Sequence, residues 1–176
     1  MKRKSNSGFD HLLGGLFIAL ALAFPVIFHV VGLGGSFLPM FFPIATAGFL
    51  LPLPSAVAVG VLSPLFSALL TGMPPFYPPI AFIMMAEGAV LGAVPAILYR
   101  RLKLNAWLTI SLAMAADRLV LLVSVLMLSR LFELPEGVLT TAALIKGIPG
   151  TIAIILVVPP LAKKMEAKIR FTRTIE

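Results

Sequence analysis

Ile80-Ala81-Phe82-Ile83-Met84-Met85-Ala86-Glu87-Gly88-Ala89-Val90-Leu91-Gly92-Ala93-Val94-Pro95-Ala96-Ile97-Leu98-Tyr99 carries one charged side chain in twenty residues. A helix rising ~1.5 Å per residue needs about twenty apolar residues to cross the hydrocarbon core of a bilayer. The stretch therefore reads as a membrane span, and Glu87 is the position in it that asks for a reason. An unpaired charge near the bilayer centre costs at least ~2.5–3.5 kcal/mol on insertion scales. A chain keeps such a group when it faces other charges, a cavity or a ligand.

The same reading extends along the chain. Hydrophobic residues make up 60% of the 176 positions and charged residues 12%, against about 25% charge in soluble domains; the mean hydropathy is +1.07. Six apolar segments predict an all-α integral membrane protein with six transmembrane helices, at about 11–31, 38–51, 56–70, 80–99, 106–131 and 138–162. A single membrane domain covers residues 1–176 and ends in a basic tail, 163–176. The second and third segments are short, and the second holds Pro39 and Pro43. Re-entrant or broken helices are tolerated only where protein or water satisfies their backbone. The first segment follows a basic start, as a signal peptide would, but has no clean small-residue cleavage site and is read as the first span.

Charge placement gives the orientation. The net charge is +7, and the basic residues gather at Lys2, Arg3 and Lys4, at Arg100, Arg101 and Lys103, and at Lys163, Lys164, Lys168, Arg170 and Arg173. With six spans all three clusters fall on one face, which the positive-inside rule makes cytoplasmic, together with both termini. Basic and aromatic residues do not interleave into a nucleic-acid reading surface, so the expected partner is the lipid bilayer and not nucleic acid. The chain has no cysteine, hence no thiol chemistry and no Cys-based metal site. His11 and His29 stand alone, without metal-ligand spacing, and no P-loop or Gly-x-Ser-x-Gly elbow is present. No catalytic residue, metal or cofactor is expected, and ATP-driven work would fall to another chain.

Glu87, the adjacent Asp117 and Arg118, and Lys146 all lie inside apolar segments. Glu87 and Lys146 fall roughly 10–12 Å below the outer ends of their helices, with Arg118 nearer the midplane. Such groups either line an outward-facing polar pocket or form interhelical ion pairs that fix packing. Asp117 and Arg118, ~100° apart on one helix, do not both point straight into a pocket, so Asp117 reads as the structural partner. Phe76 and Tyr77, in a connection dense in Pro and Gly, offer aromatic faces for a ligand or anchors at the interface. Gly147-Ile148-Pro149-Gly150 in the sixth helix either frees backbone groups for a ligand or makes a kink. Gly15, Ala19 and Ala23 repeat every four residues in the first helix, a small-residue strip that lets helices approach closely. It serves internal packing or docking to a partner membrane protein.

Several strings resemble the substrate-binding S components of energy-coupling factor (ECF) transporters. They are Ala47-Gly48-Phe49-Leu50-Leu51, the run Val61–Pro75 (VLSPLFSALLTGMPP), Met84-Met85-Ala86-Glu87-Gly88, Ala116-Asp117-Arg118, and Lys146-Gly147-Ile148-Pro149-Gly150 before Pro159-Pro160. The resemblance spans about residues 12–162. It implies a multi-pass subunit of a prokaryotic plasma membrane that captures a small vitamin-like organic ligand from outside, through helices four to six and the overhanging loops. It implies a pocket at Glu87, Arg118 and Lys146, and partners in a transmembrane coupling protein and two cytoplasmic ATPases. The coupling contact maps onto Ala19 and Ala23. Asp117 departs from the small residue expected before the arginine. The chain lacks the N-terminal histidine pattern of the nickel and cobalt members, so an organic ligand is expected. A membrane enzyme acting on a lipid head group and a ligand-free scaffold are the alternatives.

Overall fold

Proline and glycine set where the helices begin and end. The computed structural model describes residues 7–30, 32, 37–77, 79–132, 145 and 147–175. Among these, α1 is Ser7–Val30, α2 Phe41–Leu50, α3 Leu53–Thr71, α4 Ile80–Pro95, α5 Ala106–Phe132 and α6 Ile148–Ile175. Pro54 sits in the first turn of α3, where a missing N–H costs nothing. Gly72 closes that helix with φ +72°, its N–H bonded to Ala68 O at 3.0 Å; a Cβ is unfavourable in this left-handed conformation. Ser67 Oγ then donates to Met73 O at 2.6 Å and Thr71 Oγ1 to Ser67 O at 2.7 Å, tying the α3–α4 connection to the end of α3. After Pro95, which has no N–H to give, α4 widens into a π-helical turn over Ala96–Arg101.

The expected six helices are present, with shifted bounds. α1 starts at Ser7 instead of 11, and α3 covers 53–71 instead of 56–70. α6 differs most. It was expected at 138–162 with a separate tail, but the described helix starts at Ile148 and runs through the basic segment to Ile175. Pro149 falls in the first turn of this described helix, where a proline fits far better than in an interior; Ile145 is helical as well, and residues 138–144 and 146 lie outside the described part. At ~1.5 Å per residue α6 is roughly 42 Å long, so its basic end extends past the hydrocarbon core, with Lys163, Lys164 and Lys168 exposed.

Among the described residues, five helices are long and apolar enough to cross a membrane. The sixth, α2, has only ten residues, roughly 15 Å. It is buried along nearly its whole length, from Phe41 to Phe49, so its backbone needs no help from lipid. Its end reaches the basic end of α4. Arg100 Nη1 donates to Leu50 O at 2.8 Å, the Phe49 and Tyr99 rings meet edge-on at 5.0 Å, and Tyr99 OH donates to Glu166 Oε2 at 3.0 Å. The C-terminal ends of α2 and α4 and the basic part of α6 are joined there.

α4 sits at the centre, against α2, α3 and α5. Its contact with α3 is made by backbone. A Cβ on Gly88 would collide with Gly60 O, one on Gly60 with Gly88 O, and one on Gly92 with Ala56 O. Gly48 of α2 joins the same seam, 2.9 Å from Gly92 O by the same measure. α1 is peripheral. It buries Asp10, Gly14, Phe17 and Ala21 on one face and exposes Leu12, Gly15, Leu16, Ala19 and Ala23 on another.

Candidate functional site

The glycine seam fixes the site's first member. Gly88 and Gly92 face α3, so Glu87, one residue away and ~100° around the helix, leaves α4 on a different side. Glu87 is 4% exposed and lies close enough to Asp117 and Arg118 of α5 for both to act on it electrostatically. Its carboxyl makes no hydrogen bond to another described side chain.

On α5 the buried residues Ile110, Ala113, Met114, Asp117, Leu121 and Val125 follow helical spacing and form the inward stripe. Asp117 belongs to that stripe and is 0% exposed; the Arg118 side chain, on the flank, is 20% exposed. Arg118 turns back onto its neighbour. Nε donates to Asp117 Oδ2 at 3.0 Å and Nη2 lies 2.8 Å from the same oxygen, at ion-pair distance without hydrogen-bond geometry. Both nitrogens converge on one carboxylate oxygen, unlike the two-oxygen fork in which guanidinium and carboxylate match best. Asp117 Oδ1 and Arg118 Nη2 are consequently buried with hydrogen-bonding capacity unused. Buried polar atoms are nearly always bonded, so this one edge is poised to accept and to donate.

The structure brings Glu87, Asp117 and Arg118 together, as their depths in the sequence suggested. Lys146 lies outside the described residues. Phe76 and Tyr77 are both exposed, Tyr77 at 72%, and the Phe76 ring packs on Phe82 at 5.8 Å, more than a helical turn outward of Glu87. Gly147 is buried, but its carbonyl accepts from both Thr151 N at 2.9 Å and Thr151 Oγ1 at 3.0 Å. That carbonyl opens α6 and is already used, so the expectation of a freed backbone group inside the helix does not apply to it. Among the described residues no three His, Cys, Asp or Glu side chains gather as a metal site would need.

Sequence reasoning missed the seam beside the site. Its signal was the Gly88–Gly92 spacing, small residues four apart in an apolar helix. The Tyr99–Glu166 bond, between residues far apart in the chain, has no local signature.

Five membrane-length helices, a buried short one and a buried group of charges on α4 and α5 form the frame in which the comparison with known proteins is read. Residues 12–162 match the model of the family described as ECF transporter, substrate-specific component. The chain belongs to this family. No curated protein and no solved structure matches it. The family makes this S component a multi-pass membrane protein of a transporter, the subunit that captures substrate and not an enzyme. S components work with an ECF module of coupling protein and ATPases.

Proposed function

We propose that this S component binds a small water-soluble vitamin or related organic micronutrient from outside a prokaryotic cell, in its plasma membrane. It then delivers the ligand with a transmembrane coupling protein and two cytoplasmic ATPases. The observation that carries the reading is the group Glu87, Asp117 and Arg118: two buried carboxyl side chains and a partly buried guanidinium in two spans, with one buried oxygen and one buried nitrogen unsatisfied. A polar ligand lodged there would satisfy both atoms and replace the lost hydration of Glu87, which supports binding over mere packing. Lys146, next to Gly147 at the start of α6, is proposed as a further ligand contact from the outer side. Phe76 and Tyr77 are proposed at the entrance, where their exposed side chains would meet an arriving ligand.

Native mass spectrometry of the purified full chain tests this directly. A co-purified small organic molecule is expected, lost on Arg118→Ala substitution, with uptake appearing only when coupling protein and ATPases are co-expressed. Chemical conversion of that molecule by the isolated chain would overturn the reading.

A further inference from the structure

A cavity of about 660 Å³ lies away from the charged group, at the outer end of the bundle. Its walls are Leu22 and Val26 near the end of α1, Leu38 and Phe41 ahead of and in α2, Met73 in the α3–α4 connection, and Met84 of α4. Neither Glu87 nor Asp117 nor Arg118 lines it. It is about four times the size of a dry 150 Å³ cavity that takes one benzene, so it holds on the order of twenty carbon atoms.

The chemistry of the wall selects the occupant. Among the described lining residues the polar side chains are Ser67 and Thr71, and each hydroxyl already donates its proton, Ser67 to Met73 O and Thr71 to Ser67 O. The side chains offer no unspent donor, and a polar ligand entering here would lose its hydration uncompensated. Left empty, a space of this size forfeits dispersion contacts on every side. Three methionines (Met40, Met73 and Met84) line it, side chains that adapt to a flexible hydrocarbon.

The mouth shows where that hydrocarbon comes from. Val26 and Met73 belong to the wall and are also 58% and 66% exposed. Around them Ile27 of α1 and Leu69 and Leu70 of α3 are exposed as well. In a membrane-spanning chain such an apolar rim faces lipid tails. We propose that the cavity takes up an acyl chain of an outer-leaflet phospholipid, wedged between α1 and the α3–α4 connection. The bilayer would thus supply part of the bundle's packing at the end where α1 is otherwise weakly held.

The test uses the full chain in nanodiscs made of phosphatidylglycerol carrying a diazirine near the end of one acyl chain. After photolysis, peptide mass spectrometry should find adducts on Leu22 and Met84 several-fold above those on Leu112 and Leu156, which are simply exposed to lipid. Val26→Trp and Met73→Trp, at exposed positions where folding tolerates a large side chain, should each cut the Met84 adduct several-fold and leave those at Leu112 and Leu156 unchanged. Three outcomes overturn the proposal: a Met84 adduct no stronger than that at Leu112, one unaffected by both tryptophans, or one abolished by excess riboflavin, pantothenate, niacin or pyridoxine. The last would assign the cavity to the transported ligand.

Discussion

Gly60 of α3 and Gly88 of α4 meet backbone to backbone, so closely that a Cβ on either would collide with the carbonyl oxygen of the other. Gly88 follows Glu87 in the chain. The contact therefore sets both the distance between two spans and the direction in which a buried carboxyl leaves the bundle's central helix. A site built beside such a seam inherits its rigidity, because interiors this dense transmit displacement instead of absorbing it.

Gly88→Ala is expected to destabilise the free protein by about 1–3 kcal/mol, the usual range for overpacking, and to weaken ligand binding as Glu87 moves. Gly15→Ala is the control, since nothing lies within 4 Å of a Cβ there. It should leave the melting temperature unchanged or raise it, because alanine is favoured over glycine within a helix by roughly 0.5–1 kcal/mol. Thermal unfolding in detergent reads both; equal losses would show that the seam is not under steric pressure.

The sequence made the spans legible because a bilayer leaves few alternatives: length and apolarity alone mark α4 and α5 as membrane-long helices beginning at Ile80 and Ala106. The charged group was legible for the same reason, as Glu87, Asp117 and Arg118 are exceptions in otherwise apolar runs. What remained hidden depends on contacts across the fold. Arg118 pairing with its own neighbour is a choice of rotamer that spacing does not report. The basic tail was read as separate from α6 because hydropathy falls at Lys163, although the helix continues through it to Ile175. The outer cavity is formed by residues from four separate segments, none of them unusual in its own segment.

The Asp117–Arg118 pair yields a double-mutant cycle. Breaking a buried pair on one side is typically destabilising by about 3–5 kcal/mol, because the remaining charge stays uncompensated. Arg118→Ala leaves Asp117, at 0% exposed, in that position, so its melting temperature should fall clearly. Asp117→Asn should fall less, since Arg118 has some access to solvent. Asp117→Asn with Arg118→Gln should recover most of the stability. If the double variant is stable yet has lost at least tenfold in ligand affinity, about 1.4 kcal/mol, Arg118 touches ligand; full affinity would make the pair purely structural.

Glu87 makes a different demand. Its carboxyl makes no hydrogen bond to another described side chain, and in the proposed site its oxygens would meet the ligand. Glu87→Gln keeps the shape and one acceptor, so binding should weaken less than in Arg118→Ala, and the free protein should become more stable as a buried charge is removed. Ligand-induced rise in melting temperature measures both at once, since binding to the folded state alone adds stability by mass action. A Glu87→Gln protein that melts earlier than wild type would show that the carboxyl is a structural counter-charge.

The last expectation concerns α1. Gly15, Ala19 and Ala23 lie on its exposed face, whereas Gly14, Phe17 and Ala21 face the core. The small-residue strip therefore packs against none of the described helices of this bundle, and we propose it as the surface that approaches the coupling protein. Ala19→Leu and Ala23→Leu add bulk to a surface left exposed among the described residues. Melting temperature and ligand affinity of the isolated subunit should stay at wild-type values, because no internal neighbour is displaced. Assembly and uptake should fall together when coupling protein and ATPases are co-expressed, as the larger side chains hold apart backbones that must come close. Loss of ligand binding in the isolated Ala19→Leu protein would mean that this face communicates with the pocket, and unchanged uptake in both variants would place the coupling surface elsewhere.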